Sequence, residues 1–232
     1  MLFVSAIRSE YDILSSVMRA VDAHPALEAE LVVTGAHLSP RFGSTVDEVE
    51  RDGFRIAAKL ESLFDSDGRA ARVKGAAVQL LGLAELCERT RPDFLFSPMD
   101  REEAITAALV GSYERIPVLH LGGGETADDG NVDNAIRHAT SRLAHVHFAT
   151  TEKSGERLLL SSEEPWRIHV VGAPGLDRVL EVPEMGDVEL ASRLGFDAMP
   201  RRFLMVIQHP IISEVEDAAD QMRCTLSAVV SL

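Results

Sequence analysis

Several ionisable side chains stand directly beside short apolar runs of this sequence. Asp100 and Arg101 follow the apolar run 93–97, and His120 and Glu125 flank a run of three glycines. A carboxylate can move a proton, and a cation beside it can hold a phosphate group or orient the carboxylate. Glycine backbone can also present N–H groups to an anion. The spacing therefore indicates acid–base chemistry or anion binding near the ends of apolar segments.

The same residues also have structural interpretations, and both kinds stay open on the local pattern alone. Asp100 could be the N-cap of a following helix, and Asp133 could cap the helix predicted over 132–143. The glycines at 122–124 could be only a turn. On the second of these helices, Arg137 and His138 are predicted to be surface or partner-binding groups. A core or edge role is expected for His145, His147 and His169, which fall in predicted strands.

Short apolar segments alternate with helical patterns along most of the chain. The predicted strands are 2–7, 30–34, 93–97, 117–121, 145–149 and 168–171, and the predicted helices are 12–23, 43–52, 68–90, 101–114, 132–143 and 151–160. This alternation predicts an α/β fold, a Rossmann-like parallel sheet with helices on both faces. Val4, Val33, Leu95, Leu119 and Val146 are expected at its buried centre.

In such sheets ligands bind beyond the carboxyl ends of the strands. Arg8, Asp100, His120 and Glu125 are therefore expected to converge at that edge. Along the chain we predict a Rossmann-like domain over 1–172 and a connector over 173–202. Residues 203–232 are predicted to begin an incomplete second Rossmann-like domain, with 203–207 as its first strand.

Composition excludes several functional classes. The chain has 232 residues and a formal net charge of −14, so binding to nucleic acid or to an anionic membrane is not expected. The two cysteines, Cys87 and Cys224, lack metal-ligand spacing, and no metal or other cofactor is expected. There is no G-x-G-x-x-G after the first strand and no P-loop lysine. No apolar run approaches the ~20 residues of a membrane-spanning helix, and a cytoplasmic location is expected.

An ordered set of motifs over about residues 1–215 resembles the N-terminal half of the UDP-N-acetylglucosamine 2-epimerases. The similarity is greatest to the hydrolysing branch, which serves sialic acid and related nonulosonic acid synthesis. The motifs are IRSEY (7–11), TGAH (34–37), FGSTVDEVERDGF (42–54), Asp100-Arg101, PVLHLGGGE (117–125), DNAIRH (133–138), RLAH (142–145) and His209-Pro210.

The resemblance implies a two-domain fold of the glycosyltransferase-B type, with a UDP-sugar in the cleft between the domains. It implies conversion of UDP-N-acetylglucosamine to N-acetylmannosamine and UDP, through a glycal and addition of water. Asp100 and Asp133 would be acid–base carboxylates, with Glu125 as a third, and His209 would act on the phosphate side. The substrate-binding residues implied are Arg8, at the diphosphate, and Arg101, His120, Gly123, Gly124 and His138.

Two positions depart from the family pattern. Gly122 stands where an acid or a histidine is usual, and Met99 replaces the glycine before Asp100. The family is also about half again as long. A non-catalytic nucleotide-sugar-binding domain, a non-hydrolysing epimerase and a glycosyltransferase of the same architecture therefore remain as alternatives, although the DNAIRH run favours the hydrolysing branch. A homodimer is expected, because apolar residues at 203–207 and 224–232 would otherwise lack cover.

Overall fold

The computed structural model of the chain describes residues 1–66, 68, 70–127 and 131–231. These residues form two compact units. The first unit comprises Met1–Thr126 and Val132–Leu180, and the second comprises the described parts of Ala127–Asn131 and Glu181–Leu232. The predicted three-part domain division stays a prediction.

The first unit is built on one parallel sheet, which confirms the predicted fold class. Its strands are β1 (Leu2–Ser5), β2 (Glu30–Thr34), β3 (Arg55–Leu60), β4 (Leu95–Pro98), β5 (Val118–Leu121), β6 (Val146–Ala149) and β7 (Ile168–Val170). They lie in the order β3-β2-β1-β4-β5-β6-β7, and all neighbours are parallel. The direction of strand addition reverses between β1 and β4, where open sheets of this kind bind ligands.

Helices connect the strands and cover the sheet. In the first unit they are α1 (Arg8–Asp22), α2 (Val46–Arg51), α3 (Ala70–Thr90), α4 (Glu102–Glu114), α5 (Asp133–Leu143), α6 (Glu152–Leu160) and α7 (Pro174–Glu181), of which only the last residue is assigned to the second unit. Short 3-10 turns occupy Gly35–Leu38, Pro40–Phe42 and Pro165–Arg167. None of the helices in the described part of the chain has the length and hydropathy needed to span a bilayer.

The core lies on both faces of the sheet, because successive strand residues point to opposite faces. One face carries Phe3, Leu14, Met18, Leu31 and Phe96, and the other carries Leu2, Val4, Leu83, Leu95 and Val110. The four residues expected at the centre of β1, β2, β4 and β5 are buried. Val146 is only partly buried, since β6 lies next to the edge strand β7.

The second unit contains α8 (Asp187–Leu194), a 3-10 segment (Ile212–Asp217) and α9 (Ala218–Val230). The predicted strand at 203–207 is wrong, because these residues adopt no regular secondary structure. Phe203 and Ile207 are 62% and 64% exposed. A strand needs a neighbour to satisfy its backbone groups, and an apolar run alone does not provide one.

Candidate functional site

The carboxyl ends of β1, β4 and β5 bring several of the predicted residues to one edge of the sheet. Asp100 and Arg101 follow β4, His120 lies in β5, and Glu125 lies in the loop after β5. Side-chain contacts join Asp100, His120 and Glu125 through Arg137 and Met99, as described below. Arg8 is the first residue of α1 and lies at the same edge, with its side chain 64% exposed and its Nε 3.7 Å from Glu48 Oε2.

A buried arginine connects several residues at this edge of the sheet through hydrogen bonds. The Arg137 side chain is only 6% exposed, and its Nη2 donates to Asp100 Oδ2. Its Nη1 donates to the main-chain oxygen of Glu125 and to Asn134 Oδ1, both at 3.0 Å. The prediction that Arg137 is a surface group is therefore wrong. One guanidinium fixes both the end of β4 and the loop after β5.

Asp100 is not the helix cap that one interpretation of the sequence suggested. The N-cap of α4 is Arg101, whose side chain makes no capping hydrogen bond. The Asp100 carboxylate instead pairs with Arg137 and keeps 20% of its side chain exposed. A carboxylate that is oriented by a buried cation and still partly open to solvent can reach a bound ligand.

His120 supports the turn between β4 and Asp100. Burial lowers the pKa of its imidazole to about 4, so the ring is neutral near pH 7. Its Nε2 lies 2.8 Å from the main-chain oxygen of Met99, and its Nδ1 lies 3.1 Å from Ser141 Oγ. Since a carbonyl oxygen only accepts, Nε2 carries the proton. Its predicted substrate contact stays a prediction, and the geometry gives the ring a positioning role.

The glycine run is a close-packed turn. Gly122 and Gly124 have φ values of +83° and +79°, in the region that favours glycine. The N–H of Gly122 donates to Phe148 O at 3.0 Å, and Gly124 O accepts from Arg157 Nη1 at 3.1 Å. Glu125 follows directly, and its Oε1 accepts a hydrogen bond from Thr150 Oγ1. The proposed ligand contacts of Gly123 and Gly124 stay predictions.

Three further carboxylates surround Arg101, and its Nη2 lies 3.7 Å from Glu102 Oε1. Its Nε lies 3.2 Å from Glu103 Oε2 and 3.8 Å from Glu10 Oε1. Burial, followed by the charge of Glu103, raises the pKa of Glu10 to about 8, and burial also raises the pKa of Glu103. Glu10 therefore holds a proton near neutral pH. Arg101 is largely occupied by this cluster, and its predicted substrate contact stays a prediction.

The remaining predicted residues lie on α5 and in the second unit. Asp133 is the first residue of α5 and not its N-cap, which is Val132, and Asp133 Oδ1 lies 3.8 Å from Arg72 Nη2. His138 is exposed on the same helix. His209 is exposed in the second unit. The functional roles assigned to these three residues stay predictions.

Sequence reasoning missed Arg137, Glu10 and Thr150 as parts of this edge. Glu10 could have been found, because it lies in the segment that follows the first predicted strand. Arg137 offers a weaker signal: it lies four residues after Asp133, which places the two on one helix face. Nothing in the sequence around Thr150 distinguishes it from an ordinary strand end.

The three buried histidines predict a pH-dependent stability. Burial lowers the pKa of His37 and His120 to about 4, and it also lowers that of His147, as expected for a core histidine. Below about pH 6.5 the unfolded chain therefore binds more protons than the folded chain, and stability falls as pH falls. His37 and His120 each contribute about 1.4 kcal/mol per pH unit between about pH 6.5 and pH 4, and His147 acts in the same direction.

Glu10 affects the pH dependence of stability in the opposite direction to the histidines. Its folded pKa of about 8 lies above the unfolded value of 4.5, so its stabilising contribution is lost as pH rises between these values. Urea unfolding between pH 4 and pH 9 should show greatest stability near pH 6.5. Glu10→Gln should flatten the loss between pH 6.5 and pH 8 and steepen the rise between pH 4.5 and pH 6.5, because the opposing contribution of Glu10 is removed over both ranges. Parallel curves for the two proteins above pH 6.5 would contradict the assignment to Glu10.

The fold and the edge described above define a Rossmann-like α/β protein with an ionisable site at the sheet's switch point. The family model for UDP-N-acetylglucosamine 2-epimerase matches residues 19–232, and the chain belongs to this family.

Relatives cover nearly the whole chain. It is 32% identical over 230 residues to a UDP-N,N'-diacetylbacillosamine 2-epimerase (hydrolyzing) of Legionella pneumophila, covering 99% of this chain and 60% of the relative. It is 28% identical over 215 residues to a UDP-N-acetylglucosamine 2-epimerase of Neisseria meningitidis, covering 92% of this chain and 55% of the relative. The chain thus spans little more than half the length of the curated relatives it matches.

Solved structures show the same fold. A UDP-N-acetylglucosamine 2-epimerase from Rickettsia bellii superposes with a TM-score of 0.73 at 17% identity, covering 98% of this chain and 58% of that one. The enzyme from Neisseria meningitidis bound to UDP-GlcNAc gives a TM-score of 0.66 at 21% identity, covering 82% and 50%. These identities support the shared architecture alone.

Proposed function

We propose that the chain is the N-terminal part of a hydrolysing UDP-N-acetylglucosamine 2-epimerase, which forms N-acetylmannosamine and UDP. The observation that carries the proposal is the pair of carboxyl residues held by one buried cation, since Arg137 binds the Asp100 side chain and the Glu125 main chain. The hydrolysing type is supported by two relatives named as hydrolyzing and by the DNAIRH run at 133–138.

The first chemical step is an elimination. A base takes the proton from C2 of the sugar, the C1–O bond to the diphosphate breaks, and UDP leaves with the bonding electron pair. The product is a glycal with a C1–C2 double bond. Asp100 is assigned as the group that exchanges this proton, and the orientation and partial exposure of its carboxylate support the assignment. The exposed guanidinium of Arg8 is available for the leaving diphosphate.

The second step adds water to the glycal. Hydroxide goes to C1, and an acid delivers a proton to C2 on the face opposite to the one first attacked. Glu125 and Asp133 are the candidates for this acid, and His209 is assigned to the phosphate side. A UDP-sugar is thus the small-molecule partner. We also retain the homodimer, the cytoplasmic location and the absence of a cofactor as proposals.

Deuterium incorporation and product analysis test this proposal. The purified chain is incubated with UDP-N-acetylglucosamine in D₂O, alone and with the C-terminal part of the Legionella relative. Equal amounts of UDP and N-acetylmannosamine are expected, with one deuterium at C2. Formation of UDP-N-acetylmannosamine without free UDP would instead indicate a non-hydrolysing epimerase. UDP-N,N'-diacetylbacillosamine in a parallel incubation identifies the preferred sugar.

A second candidate function is a non-catalytic nucleotide-sugar-binding domain. It is favoured by Gly122, which places no side chain where the family usually has an acid or a histidine. Calorimetric binding of UDP-N-acetylglucosamine, with neither UDP release nor deuterium incorporation under both conditions, would select this alternative.

A further inference from the structure

The two positions that depart from the family pattern are in contact. A Cβ placed on Gly122 would lie 2.8 Å from Met99 Sδ and 3.5 Å from Met99 Cε. Carbon and sulfur atoms do not approach that closely without repulsion, so the Met99 side chain already fills the space of a side chain at position 122. Gly122 lacks a side chain, and the side chain of Met99 occupies the space that one would fill.

The backbone at both positions is fixed in an unusual conformation. Met99 has φ +56° and Gly122 has φ +83°, both in the left-handed region. Met99 is held there by its N–H, which donates to Leu121 O at 2.9 Å, and by its carbonyl, which accepts from His120 Nε2 at 2.8 Å. A non-glycine residue in this region costs free energy and persists only where its surroundings hold it. Here both holding groups come from β5, the strand that leads into Gly122.

The Met99 side chain also forms a wall of a cavity at the candidate site. The cavity has a volume of about 190 Å³, and its polar groups include Glu125 and Thr150. The apolar part of its lining is formed by Met99 with Ile13, Leu121 and Leu176. Met99 therefore lines the same cavity as Glu125, one of the carboxylates assigned to the reaction.

We propose that Met99 and Gly122 are a matched pair in which the Met99 side chain replaces the side chain of position 122 as a wall of the sugar site. Met99 is then a positioning residue: it supplies volume and an apolar surface beside Glu125 and takes no part in proton transfer. The contact to position 122 stands on the structure alone, whereas the placement at the sugar rests on the proposed function.

A double-mutant cycle tests the contact. Gly122→Ala should lower the thermal midpoint by about 6 °C in the wild type and by only about 3 °C in Met99→Gly, because the colliding thioether is then absent. Gly53→Ala is the matched control, since Gly53 has φ +81° and a Cβ there would meet no atom within 4 Å. Its loss should be the same in both backgrounds. Equal losses for Gly122→Ala in the two backgrounds would overturn the pairing.

The same proteins test the placement at the sugar. Met99→Gly should raise KM for UDP-N-acetylglucosamine about 10-fold with little change in kcat, because the wall is removed but the carboxylates stay. Adding Gly122→Ala should return part of that loss, since the new Cβ refills the space. An unchanged KM in Met99→Gly would overturn the role at the sugar.

A milder variant and a measurement without substrate separate failure of the Met99–Gly122 pairing from failure of the proposed function. Met99→Ala is the milder truncation should the glycine variant fail to fold. If the wild type itself does not turn over UDP-N-acetylglucosamine, the proposed function fails, and the thermal cycle, which needs no substrate, still decides the pairing.

Discussion

Replacing Gly124 by alanine is expected to cost about 3–5 kcal/mol of the free energy of unfolding. A Cβ at this position would lie 2.1 Å from the main-chain oxygen of Ser154 and 2.8 Å from its carbonyl carbon. Both atoms belong to the first turn of α6, so they cannot move aside as the end of a side chain can. The φ of +79° adds strain for any residue with a Cβ. The thermal midpoint should fall by roughly 10 °C.

Gly53→Ala isolates the conformational part of this effect. Its φ of +81° matches that of Gly124, but its surroundings are open within 4 Å. It should cost only about 1–2 kcal/mol, the strain of a left-handed residue. The difference between the two variants measures the overlap with α6. If both variants lost the same stability, the loop after β5 would not pack against α6 as described.

The sequence allowed the central strands and the covering helices to be predicted, because a parallel sheet buried on both faces is encoded in continuous apolar runs. β3 was not predicted for the corresponding reason. Its sequence, Arg55–Leu60, contains Arg55 and Lys59, and both side chains are exposed at the edge of the sheet. An edge strand that is partly open to solvent lacks the apolar run that marks its neighbours.

The sequence indicates where the candidate site lies, but it does not indicate which side chains contact one another there. The strand ends locate Asp100 and Glu125, since the edge of a parallel sheet follows from the order of its segments. The partner of Asp100 could not be predicted, because an arginine on a polar helix resembles a surface residue. Only the packing of α5 against the rest of this edge shows that Arg137 is buried. Of the two interpretations of Asp100 that the sequence leaves open, the helix cap is the wrong one.

The same limit explains the error at 203–207. Phe203, Leu204, Met205 and Ile207 have the composition of a buried strand, but each is more than 60% exposed. Apolar composition indicates that a segment gains from burial, and it does not supply the neighbouring strand. In the described residues the sheet ends at β7 on one side and β3 on the other.

Asp100→Asn is expected to lower the rate of UDP release by about 10²–10⁴-fold under the proposed function, because an amide cannot exchange the C2 proton. Asparagine keeps the size of the side chain and an oxygen that accepts from Arg137, so the fold should be retained. The loss of the charged partner should cost about 1–3 kcal/mol of stability. The rate and the urea midpoint are measured on the same samples.

Asp52→Asn is the matched control for this change. The Asp52 side chain is 25% exposed, against 20% for Asp100, and its Oδ2 accepts a hydrogen bond from the buried Tyr11 hydroxyl at 2.7 Å. It should therefore lose a similar amount of stability while its rate stays within about twofold of the wild type, since it lies outside the acid–base site. A large loss of rate in both variants would show that activity follows stability. A rate loss confined to Asp100→Asn, at comparable midpoints, would identify Asp100 as a catalytic carboxylate, because a loss of stability alone would lower the rate of both variants.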